Sequence, residues 1–275
     1  MKQMFLTTGK DLDFLGIKWC PTKACNYHCS YCVQKNDDKK EINKDVIFDS
    51  LNKIDYLFST GKLKWWKIIG GEFTILPLDV RDRILEIVNK YKPYLFLHTN
   101  GLNIEWLEPF YYTDGNLNIS FHETEHDPFD IIKRTSQFVN THPNFYLKYF
   151  IVGYNNLDLL KKLKFLLDDK INIQFLRDRG KGIPDWYKET KEYEYIHENI
   201  LKSVGVYNKV FEKNKDIFKC TMRGITIDEN GIIKLCNNEE KSEFTIDEIV
   251  KKLPYSKMCN VKYCPACNGQ IIDYE

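Results

Sequence analysis

Over its first two thirds the chain alternates short apolar runs with amphipathic stretches. Leu15-Gly16-Ile17-Lys18-Trp19 predicts a first strand. Between residues 45 and 59, Val46, Ile47, Leu51, Ile54, Leu57 and Phe58 recur at helical spacing, and Gly61 follows as a stop. Trp65-Trp66-Lys67-Ile68-Ile69 predicts a second strand ending in Gly70-Gly71-Glu72. A helix over 79–90 follows, with Val80, Ile84, Leu85, Ile87 and Val88 on its apolar face. Tyr94–His98 predicts the third strand, ending in Thr99-Asn100-Gly101, and Leu117–Phe121 the fourth. Ile131–Val139 is a short helix, Phe145–Val152 the fifth strand, Leu157–Leu167 a helix and Ile171–Leu176 the sixth strand.

Strands alternating with helical segments predict parallel βαβ units. After Leu176 the pattern breaks: 177–185 reads as a loop, and 186–219 as a polar, aromatic linker that is helical in part. A separate module begins at Cys220. Within it, Ile225-Thr226-Ile227 and Ile232–Leu235 flank the turn Asp228-Glu229-Asn230-Gly231 as a β-hairpin, and 245–253 is helical. The expected organisation is a parallel α/β domain over 1–185, a linker over 186–219 and a small α+β domain over 220–275.

Composition narrows the function. Apolar residues make up 43% and charged residues 29%, enough apolar content for a packed core. The net charge of +1, from 40 basic and 39 acidic side chains, gives no electrostatic case for nucleic acid. No apolar run reaches membrane-span length, and residues 1–15 lack a signal-peptide block, so a cytoplasmic protein without a membrane partner is expected. In that compartment nine cysteines read as metal ligands and thiols rather than disulfides.

The chemistry centres on Cys25-Asn26-Tyr27-His28-Cys29-Ser30-Tyr31-Cys32. Thiolates spaced CxxxCxxC can hold three irons of a four-iron cluster and leave the fourth open to an exogenous ligand. A structural zinc site would normally supply four ligands. The spacing, with an aromatic before the last cysteine, resembles the signature of the radical S-adenosylmethionine (radical SAM) enzymes. That resemblance implies a partial (β/α)6 TIM-like barrel with its chemistry at the strand C-terminal ends. It also implies a [4Fe–4S] cluster on Cys25, Cys29 and Cys32 whose open iron is chelated by S-adenosylmethionine, and a flavodoxin- or ferredoxin-type electron donor.

Gly70-Gly71-Glu72 resembles the family's GGE motif, which binds the amino group of S-adenosylmethionine; the usual following proline is replaced by Phe73. By the same resemblance, Thr99 and Ser120 supply hydroxyls to the ligand's carboxylate or ribose, Tyr31 packs near the adenine and Leu176 packs on its other side.

Cys220, Cys236, Cys264 and Cys267 form a distant pair plus a CxxC, which suits zinc or a second [4Fe–4S] cluster. Beside the N-terminal triplet the arrangement resembles the "twitch" domain, a shortened SPASM domain with one auxiliary cluster. Cys20 and Cys259 are left over as buried thiols or hydrogen-atom donors.

Strand-end polar residues are the candidates for substrate contact: Lys18, Lys148, His122, Glu123, Arg177 and Arg223, with His122 and Lys148 as candidate bases. His28 and His98 flank the motifs and read as structural. The expected substrate is a small polar molecule such as a sugar, aminocyclitol or nucleotide derivative, dehydrogenated at an alcohol carbon. Epimerisation, maturation of a ribosomally made peptide, and a non-catalytic zinc or iron–sulfur protein are the alternatives. Fewer than 20 residues precede the end of the first strand, which disfavours a peptide-recognition domain.

Overall fold

The computed structural model describes residues 15–29, 32, 41–110, 112–122, 125–152, 162–163, 165–166, 171–174, 218–222, 224–235, 244–253, 255–259 and 271–273. The strands are β1 (Leu15–Trp19), β2 (Leu63–Ile68), β3 (Tyr94–Thr99), β4 (Gly115–His122), β5 (Phe145–Val152), β6 (Ile171–Gln174), β7 (Phe218–Met222), β8 (Gly224–Ile227), β9 (Ile233–Lys234), β10 (Tyr255–Cys259) and β11 (Ile271–Asp273). The helices are α1 (Lys44–Ser59), α2 (Leu78–Tyr91), α3 (Pro128–Thr141) and α4 (Ile246–Lys252). The strands β1 to β6 and helices α1 to α3 lie where the hydrophobic pattern predicts them. Of the helix expected over 157–167, only 162–163 and 165–166 lie within the described residues, and these are helical.

An eight-stranded sheet runs in the order β6-β5-β4-β3-β2-β1-β8-β9. From β6 to β8 every neighbouring pair is parallel; β9 turns back antiparallel on β8. The hairpin over 225–235 is present, but its first strand lies parallel to β1, with Gly16 opposite Gly224 and Trp19 opposite Ile227. Residues 224–234, expected in a separate C-terminal module, are therefore built into the main sheet. A second, antiparallel sheet has the order β10-β7-β11.

Alternation gives the main sheet two unlike faces. Ile17, Trp19, Trp66, Ile68, Leu95, Leu97, Leu117, Ile119, Phe121, Leu147, Tyr149, Ile225 and Ile227 are all buried. Ile47, Leu51, Ile54 and Leu57 of α1 and Val80, Ile84 and Ile87 of α2 complete this core. Each such side chain contributes about 1.5–3 kcal/mol on burial. The opposite face carries Lys18, Lys67, His98, Asn116, Asn118, Ser120, His122, Tyr146 and Lys148.

Local signals fix the helix ends. The Asn43 side chain accepts from Val46 N to start α1, and Asp127 accepts from Phe129 N ahead of Pro128 to start α3. Thr245 and Glu248 form a reciprocal capping box on α4. Asp55 of α1 accepts from Arg83 (2.7 Å), Lys90 (3.1 Å) and Tyr91 (2.6 Å), tying α1 to α2. Among the described residues no helix is long and apolar enough to cross a membrane.

Candidate active site

The cysteine loop leaves the C-terminal end of β1 and is laid along the end of β2. Ile69 N donates to Trp19 O (2.9 Å), Gly71 N to Thr22 O (2.8 Å) and Glu72 N to Ala24 O (2.8 Å). This extension of the ladder explains the glycine pair. Gly70 has φ +137°, and a Cβ on Gly71 would lie 1.9 Å from the carbonyl oxygen of Ala24. The close approach these glycines permit is thus made by the chain's own backbone.

Glu72 is buried and accepts four hydrogen bonds. Its Oε1 receives Thr74 N (3.1 Å), Thr74 Oγ1 (2.7 Å) and Thr99 Oγ1 (2.7 Å); its Oε2 receives Asn100 N (2.7 Å). Burial pushes its carboxyl above the ordinary range, while the bonds from Asn100, Thr74 and Thr99 pull it back. Glu72 also caps the short 3-10 turn Phe73–Ile75 that follows it, so the chain bends here without a proline. Asn100 Nδ2 in turn donates to Asn26 Oδ1 at 2.7 Å, inside the cysteine loop. One buried polar network therefore joins the cysteine, Gly-Gly-Glu and Thr-Asn stretches, from the ends of β1, β2 and β3.

Cys25, Cys29 and Cys32 all lie on this loop. Tyr27 N donates to Cys25 Sγ (3.4 Å) and Cys32 N to Cys29 O (3.0 Å). Burial is the leading cause that pushes the Cys25 thiol up, and the nearby Cys32 adds to it. Among the described residues no three His, Cys, Asp or Glu side chains are gathered into a formed metal site. In kind, three soft thiols on one loop beside a buried carboxylate fit an iron–sulfur cluster.

The remaining candidates are placed as follows. His122 ends β4 with Nδ1 3.3 Å from Cys29 Sγ, and burial pulls its imidazole down to about 4 against the opposing charge of Glu125. Glu125 Oε2 accepts from His28 N (3.0 Å), a second tie between this end of the sheet and the loop. Ser120 lies one step below His122 on the polar face, and Lys148 of β5 stands beside Asn118 with its ammonium 5.5 Å from the Tyr146 ring. Lys18 occupies the same face on β1. The Cys20 thiol donates to Thr22 O (3.6 Å) and is pushed up to about 12, first by burial and then by Glu229. Tyr31, Glu123, Leu176, Arg177, Arg223, Cys236, Cys264 and Cys267 lie outside the described residues, while Cys220 and Cys259 are backbone positions in β7 and β10.

Four residues of the site escape a reading by motif, Asn26, Thr74 and Asn100, which complete the Glu72 network, and Lys67; a fifth, His98, reads in the sequence as structural. Strand alternation carried the signal for the last two, since Lys67 pairs with Lys18 in register. Burial, with Lys18 adding to it, lowers the Lys67 ammonium from 10.5 to about 8. Between those values the unfolded chain holds a proton that the folded chain has released, so this group's contribution to stability rises with pH across that window. Lys67→Met should accordingly be more stable than the parent at pH 7, by up to ~3 kcal/mol. The gain should shrink above about pH 8 and vanish near 10.5. Urea midpoints at pH 7 and pH 10 check this, and an unchanged or lower midpoint at pH 7 contradicts it.

No family model matches the chain. A stretch of 118 residues is 30% identical to the S-adenosylmethionine-dependent nucleotide dehydratase of Fibrobacter sp. (strain UWH6), covering 40% of this chain and 34% of that protein. The match thus spans about a third of the length of the curated relative. Among solved structures, native anSMEcpe with bound AdoMet and Cp18Cys peptide matches with a TM-score of 0.55 and 16% identity, over 82% of this chain and 74% of that one. Native anSMEcpe with bound AdoMet gives 0.55 and 17%, over 84% and 77%. The fold is that of AdoMet-bound anSMEcpe. It is a mixed α/β fold on a parallel sheet, and in this chain the strand C-terminal ends that face the cysteine loop carry the buried network around Glu72.

Proposed function

We propose that this chain is a radical S-adenosylmethionine enzyme acting on a small polar molecule. The observation that carries the reading is the buried network in which Asn26, Asn100, Thr99 and Thr74 fasten the cysteine loop to the Glu72 carboxylate. Cys25, Cys29 and Cys32 would hold a [4Fe–4S] cluster; bound there, it supplies the single electron that cleaves S-adenosylmethionine. Three donors orient Glu72 Oε1, whereas among the described residues Oε2 accepts from Asn100 N alone, which leaves a lone pair for an ammonium group. A carboxylate buried without a cation is costly, and the amino group of S-adenosylmethionine would supply the missing charge.

The proposed outcome is dehydrogenation of an alcohol carbon. The carbon-bound hydrogen atom would leave to the 5′-deoxyadenosyl group, the hydroxyl proton to Lys148 or His122 on the polar face, and the remaining electron to a second [4Fe–4S] cluster. A second reading, dehydration of a nucleotide, is favoured by the name of the Fibrobacter relative. Mass spectrometry of the product separates the two, as loss of two hydrogens against loss of water. A flavodoxin- or ferredoxin-type protein is the proposed electron donor.

Anaerobically reconstituted protein with dithionite should convert S-adenosylmethionine to 5′-deoxyadenosine, and the variant with Cys25, Cys29 and Cys32 all changed to Ala should not. Equal product from both proteins would sink the proposal. Cys220, Cys236, Cys264 and Cys267 are the proposed ligands of a second [4Fe–4S] cluster. On that assignment the triple variant retains about four irons and four sulfides per chain. One zinc without sulfide in that variant decides for a structural zinc site instead.

A further inference from the structure

Below the cysteine loop, basic side chains cross the polar face of the sheet. Register sets Lys18 of β1 beside Lys67 of β2. One step nearer the strand C-termini, His98 of β3 stands beside Asn118 of β4, their Nε2 and Nδ2 atoms 3.2 Å apart, and Asn118 stands beside Lys148 of β5. Lys18, Lys67 and His98 are all partly buried on this face, and the charges of Lys18 and Lys67 both bear on His98. Under them lies an aromatic floor. The Trp65 indole covers Gly16, where a Cβ would come within 2.0 Å of the ring, and Phe96 meets Trp65 edge-on at 6.0 Å.

Among the described residues, no carboxylate lies within ion-pair distance of Lys18 or Lys67, although ion pairs are frequent elsewhere on the surface. Folding alone gives no reason for this arrangement, because apolar side chains of the same volume would pack on the aromatic floor at lower cost. An anionic ligand does give one. We propose that Lys18, Lys67 and His98 form a subsite for the phosphate group of the substrate, a phosphate monoester or oligophosphate. Two ammonium groups and an imidazole match a multiply charged anion better than a single carboxylate, and lysine serves phosphate as a mobile point charge.

The position of the subsite constrains the rest of the molecule. On β4, Asn118 lies four residues below His122, or about 13 Å at strand rise. A substrate with its phosphate beside His98, which is in register with Asn118, and its reacting carbon near the cysteine loop must span a distance of that order, as a nucleotide does. This deepens the reading of the polar face as the substrate site and rests on it.

The test is calorimetric titration of the whole protein with inorganic pyrophosphate, without S-adenosylmethionine or reductant, against acetate at matched ionic strength. Pyrophosphate should bind and acetate should not. Lys18→Met and Lys67→Met should each weaken pyrophosphate binding at least about tenfold, the effect of losing one ionic contact of ~1.4 kcal/mol. The exposed Lys64→Met on the same strand should bind as the parent does. Loss of binding by a Lys67→Met protein whose urea midpoint is at or above the parent's excludes misfolding as the cause. Parental affinity in the Lys18→Met/Lys67→Met double variant, or no pyrophosphate binding by the parent, overturns the subsite. A protein that forms 5′-deoxyadenosine yet ignores pyrophosphate sinks the subsite alone. One that binds pyrophosphate through these lysines yet never forms 5′-deoxyadenosine sinks the radical reading alone.

Discussion

Glu72→Ala should lower the unfolding free energy by ~3–5 kcal/mol and weaken S-adenosylmethionine binding by about a hundredfold. The substitution strands Thr74 N and Asn100 N, two buried backbone donors with no rotamer through which to find another acceptor, together with the hydroxyls of Thr74 and Thr99. Each stranded donor costs about 1–3 kcal/mol. Part of this is offset, because burial already holds the carboxyl above its ordinary range and the charge itself is a burden. Urea unfolding and equilibrium dialysis with labelled S-adenosylmethionine measure the two effects. Glu72→Gln should recover part of the stability, because one amide oxygen still accepts, and little of the binding, because the charge is gone. Parental binding by the glutamine variant would remove Glu72 from the ligand site and leave it a purely structural acceptor.

Gly71→Ala should empty the cysteine loop of iron while leaving the helices intact. The new methyl would meet Ala24 O at 1.9 Å and the Lys23 carbonyl carbon at 2.6 Å, which are backbone atoms that cannot rotate aside. The loop must move by more than an ångström, breaking the bonds from Gly71 N to Thr22 O and from Glu72 N to Ala24 O. Gly61→Ala is the control for backbone strain without a clash: Gly61 has a positive φ, +73°, which Gly71 does not, and no heavy atom lies within 4 Å of its Cβ position. That change should cost only ~1 kcal/mol of backbone strain. Iron content after reconstitution, read beside far-ultraviolet circular dichroism, separates the two. Full iron loading of Gly71→Ala would show that the loop tolerates displacement.

Much of this was legible in the sequence because two periodicities differ so plainly. The runs at Tyr94–His98 and Phe145–Val152 have strand length, the positions from Val46 to Phe58 have helical spacing, and each produces the element it predicts. The place of Ile225-Thr226-Ile227 was not legible. Alternation marks a strand but carries no information about its neighbour, and a hairpin reads the same whether it stands alone or, as here, lines up beside β1. The site divides in a similar way. Cysteine spacing and Gly-Gly-Glu stand out as short motifs, whereas Asn26 and Asn100 are 74 residues apart and meet only through the fold. Lys67 was hidden differently: one lysine in an apolar strand is unremarkable until its register partner proves to be Lys18.

The pairing of β1 with β8 also sets a clock on synthesis. Gly16 meets Gly224, 208 positions later (224 − 16), so β1 has one permanent neighbour early and its other only near the end of the chain. At about 5–20 residues per second, the ribosome takes roughly 10–40 s to deliver that second neighbour. Throughout that interval the nascent chain presents a bare strand edge next to the unfilled cysteine loop, open to pairing with another nascent chain or with a chaperone. Iron delivery that outruns translation would meet a loop whose supporting strand is still half-paired.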